Sequence, residues 1–243
     1  MEKNRPPQYQ KKAAAAARPQ QPDDPATLIP GLRVIPDFIS VEEEEQLLQT
    51  INNQSWDGTL KRQTQQYGYK FEHQSQQVRA YLGPLPAWLD TVTNRLVERG
   101  LYPQAPDQVI INQYTPGQGI NPHVDKTHCF DGVVGSVGLG SSCIMQFRHA
   151  EAPFECIDVW FPRRTAVVLT GDSRYAWTHG IAPNTEDYWH GAMYRRKTRV
   201  SVTWRRVIGP YAKHSATAAT DATPSVPPPA AASGGAEPDA SDY

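Results

Sequence analysis

Two side chains that bind transition metals stand two positions apart at the end of the stretch Asn112-Gln113-Tyr114-Thr115-Pro116-Gly117-Gln118-Gly119-Ile120-Asn121-Pro122-His123-Val124-Asp125. On extended backbone, residues i and i+2 point to the same face. The His123 imidazole and the Asp125 carboxylate are therefore presented together. Two histidines and one carboxylate on a single face of a metal form the facial triad, which leaves positions open for cosubstrate and oxygen. A third ligand is then expected well downstream. His179 is the best candidate, closing the run Tyr175-Ala176-Trp177-Thr178 ahead of Gly180-Ile181. A His-x-Asp pair alone is most often a turn or surface pair. Two features raise this one: the turn holding Pro116, Gly117 and Gly119 that delivers it, and a cationic stretch near the end of the structured region.

That stretch is Arg199-Val200-Ser201-Val202-Thr203-Trp204-Arg205. It alternates as a strand should, with Arg199, Ser201, Thr203 and Arg205 on one face and Val200, Val202 and Trp204 on the other. An arginine pointing into a barrel is costly unless it meets an anion. A guanidinium grips a carboxylate through two parallel hydrogen bonds. Beside an iron triad the fitting dianion is 2-oxoglutarate, its keto acid end on the metal and its far carboxylate on Arg199.

The surrounding elements must hold these groups. Gly31 to Phe38 reads as a short strand, and Ser40 with Glu43 has capping-box spacing ahead of a helix with Leu47, Leu48 and Ile51 as its buried stripe. A second helix is expected from Pro84 to Arg99, with Trp88, Leu89, Val92 and Leu96 apolar and Gly100 at the stop. Strands are expected at 109–114, 133–139, 143–148, 156–161, 165–169, 176–181 and 199–205. Pro162-Arg163-Arg164-Thr165 and Gly171-Asp172-Ser173-Arg174 read as turns, with Arg174 a structural residue. Residues 182–198 read as an irregular flap over the metal. The fold class is mainly β with flanking helices, a double-stranded β-helix (jelly-roll) barrel.

These motifs resemble the AlkB family of iron- and 2-oxoglutarate-dependent dioxygenases: Asn-x-Tyr (Asn112, Tyr114), His-x-Asp (His123, Asp125), the distant His179, and Arg-x5-Arg (Arg199, Arg205), in the family's order. Arg62 to Phe71 and Arg163 to Ile181 look closest to the eukaryotic branch that hydroxylates a tRNA wobble uridine. The resemblance covers roughly residues 28–208. It implies Fe(2+) held by His123, Asp125 and His179, with 2-oxoglutarate and O2 as cosubstrates. Asn112, Tyr114 and Arg199 would contact 2-oxoglutarate, and Arg205 would lie near its metal-binding end. The cosubstrate would be converted to succinate and CO2 while a substrate C–H is hydroxylated. An N-methyl group would then be lost as formaldehyde, whereas a hydroxylated methylene would persist.

The resemblance also implies a nucleotide-recognition lid between Lys61 and Phe71. There Tyr67, Tyr69 and Phe71 alternate beside Arg62, and aromatic rings can stack on a base while a cation meets phosphate. Without the resemblance, a hairpin with its aromatics in the core would be preferred. Arg62, Tyr67 and Tyr69 are thus candidate substrate contacts, and Arg195, Arg196 and Lys197 candidate phosphate contacts. The sequence departs from the bacterial repair pattern His-x-Asp-x-Asp, because Thr127 takes the last position. This weighs against repair of 1-methyladenine and 3-methylcytosine. RNA, tRNA above all, is favoured over DNA. Alternatives are a jelly-roll dioxygenase acting on a protein side chain or small metabolite, and repair of alkylated DNA bases. A binding module without activity would leave the triad and both arginines unexplained. RNA-binding and methyltransferase domains that accompany the tRNA-modifying branch are not seen, so a separate tRNA methyltransferase partner is expected.

Composition sets the remaining bounds. The chain has 243 residues and a formal net charge of −1, which argues against a uniformly basic nucleic-acid coat. Cys129, Cys143 and Cys156 lack zinc or disulfide spacing. No long apolar run or signal-peptide pattern is present, so no membrane partner is expected, and the location should be cytoplasmic or nuclear. Residues 1–27 form a basic arm and 211–243 an Ala/Pro/Ser-rich tail. Both are expected to be disordered around a 28–210 catalytic domain.

Overall fold

The computed structural model describes residues 24–152 and 154–210. Most of the expected arm and all of the expected tail lie outside the described residues. Just ahead of the domain start expected at 28, Pro25–Leu28 forms a 3-10 turn with Asp24 as its cap. Ala26 is buried there against Ile29 and the inter-sheet core, which ties the turn to the fold.

Six strands form the larger sheet in the order β1 (Leu32–Ile35), β10 (Ala166–Leu169), β7 (Phe130–Leu139), β14 (Arg199–Val207), β5 (Gln108–Tyr114) and β2 (Gln63–Tyr67). Four form the smaller: β6 (Ile120–His123), β11 (Trp177–Ile181), β8 (Cys143–His149) and β9 (Ile157–Phe161). Every pairing is antiparallel. The two sheets make the double-stranded β-helix expected from the strand pattern. Val134, Val167 and Leu169 from the larger sheet meet Phe147, Val159, Phe161 and Trp177 from the smaller in one buried cluster.

The helices cover the other face of the larger sheet. α1 (Val41–Asn52) starts in the expected capping box: the Glu43 amide donates 3.1 Å to Ser40 Oγ, and the Ser40 amide donates 2.8 Å to Glu43 Oε2. Such a cap contributes about 1 kcal/mol. Leu47 and Ile51 then pack with Leu89, Val92 and Leu96 onto Ile111, Val200, Val202 and Trp204. The second helix is shorter than expected, a 3-10 turn at Ala87–Leu89 followed by α2 (Asp90–Glu98). Trp204 Nε1 donates to Thr93 Oγ1 of α2 at 2.9 Å. With its apolar face held in this way, β14 turns its polar face inward. No helix among the described residues is long and apolar enough to cross a membrane.

Two segments differ from the sequence reading. Residues 182–198 contain a hairpin, β12 (Glu186–Trp189) and β13 (Ala192–Arg195), instead of an irregular flap. Trp189 and Tyr194 pack on Trp160, with ring centroids 6.2 and 4.6 Å away. Trp160 alternates with the inward Val159 and Phe161, so the hairpin lies on the outer side of the smaller sheet. These ring contacts hold the hairpin there. Gly171–Tyr175, read as a turn, is the short helix α3.

Candidate active site

Across the larger sheet, inward residues form polar rows. Arg199 stands opposite Tyr114; Ser201 opposite Asn112 and Gly138; Thr203 opposite Ile110 and Ser136; Arg205 opposite Gln108 and Val134. Between the sheets opens a cleft of about 850 Å³, lined by Asn112, Tyr114, His123, Asp125, His179, Arg199, Arg205 and Arg62 among others. Residues spread over 144 positions of sequence, from Arg62 to Arg205, thus meet in one place.

The smaller sheet supplies the metal ligands. His123 on β6 is the cross-strand partner of His179 on β11, their ring centroids 4.5 Å apart. Asp125 follows two residues later. One ligand atom from each of the three lies within 4.8 Å of the others. Two glycines allow the strands to approach. A Cβ on Gly119 would stand 2.1 Å from the Ile181 carbonyl oxygen, and one on Gly180 would stand 2.8 Å from the Pro122 nitrogen.

The donor set fits a divalent iron. The His123 Nδ1 lies 2.8 Å from the Asn121 carbonyl oxygen; donation to that oxygen leaves Nε2 as a bare lone pair. His179 Nδ1 is buried without a hydrogen-bond partner among the described residues, while Nε2 stands 3.6 Å from Asp125 Oδ2. A buried imidazole left unsatisfied in this way suits metal coordination. Burial, reinforced by His123, pulls His179 down to about 4, which keeps it in the neutral, ligating form near pH 7. Burial alone would raise Asp125. The Arg205 guanidinium, with His179 and His123, more than offsets this and holds the carboxyl at about 2.

Arg205 is the pivot of this side of the cleft. Its Nη1 donates to Asp125 Oδ1 at 2.9 Å, its Nε donates to Gln108 Oε1 at 2.8 Å, and its guanidinium carbon sits 3.9 Å from the Phe130 ring centroid. The remaining Nη2 is buried without a partner among the described residues. Arg174, expected to be structural, is fully buried and donates to the carbonyl oxygens of Asp125, Phe130 and Asp131. It fixes the backbone that carries the carboxylate ligand. Arg199 is buried as well, yet none of the ion pairs found among the described residues includes it. A buried cation without a counter-ion calls for an anionic ligand.

The substrate contacts read from the aromatic alternation need correction. Arg62 does line the cleft, donating from Nε to Asn112 Oδ1 at 2.8 Å with Nη2 3.4 Å from His73 Nε2. Tyr67 and Tyr69 do not. Gly68 lies between them at φ +76°, ending β2 and starting a separate hairpin of β3 (Tyr69–Glu72) and β4 (Gln77–Tyr81). Tyr67 packs edge-on against Trp88 at 5.5 Å on the helix side, and Tyr69 is fully buried with Phe71, Val78 and Phe130. Neither ring is free to stack on a base. Arg196 is also withdrawn from phosphate contact, since its guanidinium is buried against Asp187 and the Ala182 carbonyl oxygen. Arg195 and Lys197 remain exposed.

His73 was missed, although Tyr69-x-Phe71-x-His73 continues the same alternation. It lines the cleft, edge-on to Phe71 at 5.3 Å. Burial, then the Arg62 and Arg205 charges, lowers its pKa to about 4, so it is a neutral donor and acceptor near pH 7.

The cleft, the triad and the two inward arginines are those of an iron oxygenase that uses 2-oxoglutarate. Residues 48–205 match the 2OG-Fe(II) oxygenase superfamily, and the chain belongs to that family. Within it the similarity is to AlkB-type proteins. The chain is 36% identical over 206 residues to the mouse tRNA (carboxymethyluridine(34)-5-O)-methyltransferase ALKBH8, covering 74% of this chain but only 31% of the mouse protein. It is 33% identical over 185 residues to the uncharacterised protein L905 of Acanthamoeba polyphaga mimivirus, covering 76% of this chain and 88% of that one. The solved structure of OsALKBH1 superposes with a TM-score of 0.60 over 73% of this chain and 97% of its own at 15% identity, which supports the fold. The protein is a 2-oxoglutarate-dependent dioxygenase, with Fe(2+) as its cofactor, 2-oxoglutarate and O2 as cosubstrates, and His123, Asp125 and His179 grouped so that they could hold the iron.

Proposed function

We propose that this dioxygenase oxidises a neutral or anionic nucleobase carried in RNA, with tRNA favoured over DNA. The observation carrying this reading is the charge of the cleft. Lys61, Arg62 and Lys126 line it together with Arg199 and Arg205, whereas Asp125 is the lone carboxylate among its lining residues. That carboxylate is already paired with Arg205. Bases such as 1-methyladenine and 3-methylcytosine are cations near neutral pH. Nothing in the lining is left to neutralise them, and the position of the repair enzymes' second carboxylate holds Thr127. Phosphate and an uncharged or acidic base suit the same surroundings. The similarity to mouse ALKBH8, whose name describes action on carboxymethyluridine in tRNA, supports RNA as the carrier.

The roles follow from placement. His123, Asp125 and His179 hold iron. Arg199 would receive the far carboxylate of 2-oxoglutarate, with Asn112 and Tyr114 beside it, and the unpartnered Nη2 of Arg205 would be offered to its other end. When bound, iron and 2-oxoglutarate activate O2, giving succinate, CO2 and a hydroxylated substrate. Arg62 and His73 meet the nucleotide, one as cation and the other as a neutral hydrogen-bonding ring. Arg62 also holds Asn112, which couples nucleotide contact to the cosubstrate side. A cytoplasmic or nuclear setting, with a separate methyltransferase acting on the product, belongs to the same proposal.

The test is succinate release stimulated by bulk tRNA, by unmodified single-stranded DNA and by single-stranded DNA containing 3-methylcytosine. Stimulation should be greatest with tRNA. Equal or greater stimulation by the 3-methylcytosine strand would sink the charge argument. No stimulation by any nucleic acid would move the substrate to a protein or metabolite.

A further inference from the structure

The turn Pro162-Arg163-Arg164-Thr165 has no part in the reading above, yet it delivers a polar side chain to the cleft floor. Arg164 adopts a left-handed φ of +64°, and its amide donates 2.6 Å to the Gly138 carbonyl oxygen. The Gly138 amide in turn donates 3.1 Å to the Thr165 carbonyl oxygen, making Thr165 and Gly138 neighbours across β10 and β7. Both line the cleft. Thr165 is 1% exposed, and its Oγ1 is buried without a hydrogen-bond partner among the described residues. A buried hydroxyl is ordinarily satisfied, because leaving it unpaired costs free energy. The described residues give this one nothing to bond.

Gly138 shows what lies next to it. A Cβ built on Gly138 would come within 3.2 Å of Arg199 Nη2. The guanidinium therefore occupies the space that a side chain on β7 would fill. Ser201, the cross-strand partner of Gly138 on its other side, lines the same floor. In sequence across the sheet, the row runs Thr165, Gly138, Ser201, Asn112, and the glycine gap beside Thr165 is where Arg199 lies. An orphaned hydroxyl and a buried cation without a counter-ion thus adjoin one residue.

We propose that the Thr165 hydroxyl donates a hydrogen bond to the far carboxylate of 2-oxoglutarate beside Arg199. This rests on the reading of Arg199 as the carboxylate receptor. Thr165 then acts as a positioning residue for the cosubstrate and takes no part in proton transfer. Hydroxyl-to-carboxylate bonds are charge-assisted, so their loss weakens binding by roughly tenfold to a hundredfold.

Among the described residues the hydroxyl makes no bond, which separates this role from a structural one. Thr165→Val keeps the shape and deletes the orphan. Without 2-oxoglutarate, its thermal midpoint should equal or exceed that of the parent protein, while calorimetric 2-oxoglutarate binding to the Mn(II)-loaded full chain should weaken about tenfold or more. Thr165→Ser should restore most of the affinity. In turnover, KM for 2-oxoglutarate should rise with kcat nearly unchanged. Arg199→Met is the reference. If it weakens binding and Thr165→Val does not, the threonine proposal is overturned and the Arg199 reading stands. If neither variant changes binding, the Arg199 reading itself fails. A large drop in the midpoint of Thr165→Val without 2-oxoglutarate would show a structural bond and would also overturn the proposal.

Discussion

Arg205→Met deletes the ion-pair partner of Asp125, whose carboxylate keeps only the weaker influence of Arg174 and the two histidines until a metal binds. The Arg205 and Asp125 side chains are 6% and 10% exposed, so water cannot take over the lost contact. Breaking one side of a buried pair costs ~3–5 kcal/mol, mostly because the other charge is left uncompensated. The acid sits at about 2 in the fold against about 3.9 in an unfolded chain, worth ~2–3 kcal/mol near pH 7. In Arg205→Met, burial acts with less opposition and the Asp125 pKa should rise. Asp125→Asn in the same background removes the stranded charge, so the double variant should be more stable than the sum of the single losses implies, with a coupling of at least ~2 kcal/mol. Urea unfolding of the four proteins without metal measures this. Mn(II) should recover part of the loss in Arg205→Met, by returning a cation to Asp125, and much less in Asp125→Asn. Strict additivity, or equal rescue of both single variants by Mn(II), would refute the reasoning.

Other outcomes follow from the same geometry. Gly119→Ala places a Cβ against the Ile181 carbonyl and should disturb the β6–β11 pairing that sets His123 against His179; metal affinity should fall even in protein that remains folded, measured by Mn(II) titration. Arg199→Lys keeps the charge and loses the planar fork, so KM for 2-oxoglutarate should rise steeply; an unchanged KM would place Arg199 elsewhere. His179 has a folded pKa of about 4 against about 6.5 unfolded, so the unfolded chain binds more protons in that window. Metal-free stability should therefore drop as pH falls from about 6.5 toward 4, by about 2 kcal/mol at pH 5 from this residue, and His179→Gln should flatten the slope in urea titrations.

The parts of this site legible in the sequence are those where a local period and a chemical need coincide. Arg199 to Arg205 alternates without interruption, and the apolar half of that strand packs on the helices as its pattern requires. His-x-Asp and the distant histidine meet because β6 and β11 are neighbours, which no local pattern states but the ligand count demands. Within the expected lid, Arg62 and Phe71 line the cleft, while Tyr67 and Tyr69 turn away for a local reason. Tyr67, Tyr69 and Phe71 look like one strand until Gly68 takes a positive φ between two sheets, and the alternation hides that break. Arg196 failed for a nonlocal one, since a cation in a basic run shows no sign of its partner until the hairpin brings Asp187 to it. Thr165 shows the same limit from the other side. A threonine after two arginines carries no signal, and only the missing hydrogen bond marks it.

The central claim is that one cleft joins iron, 2-oxoglutarate and an RNA nucleotide. Its most direct test is mass spectrometry of nucleosides from tRNA incubated with the protein, Fe(II), 2-oxoglutarate and O2, with succinate measured in the same reaction. The account predicts a nucleoside that gains one oxygen, or loses a methyl group, in step with succinate, and no such change with His179→Ala. Succinate formed by the parent protein with every tRNA nucleoside unaltered would contradict it.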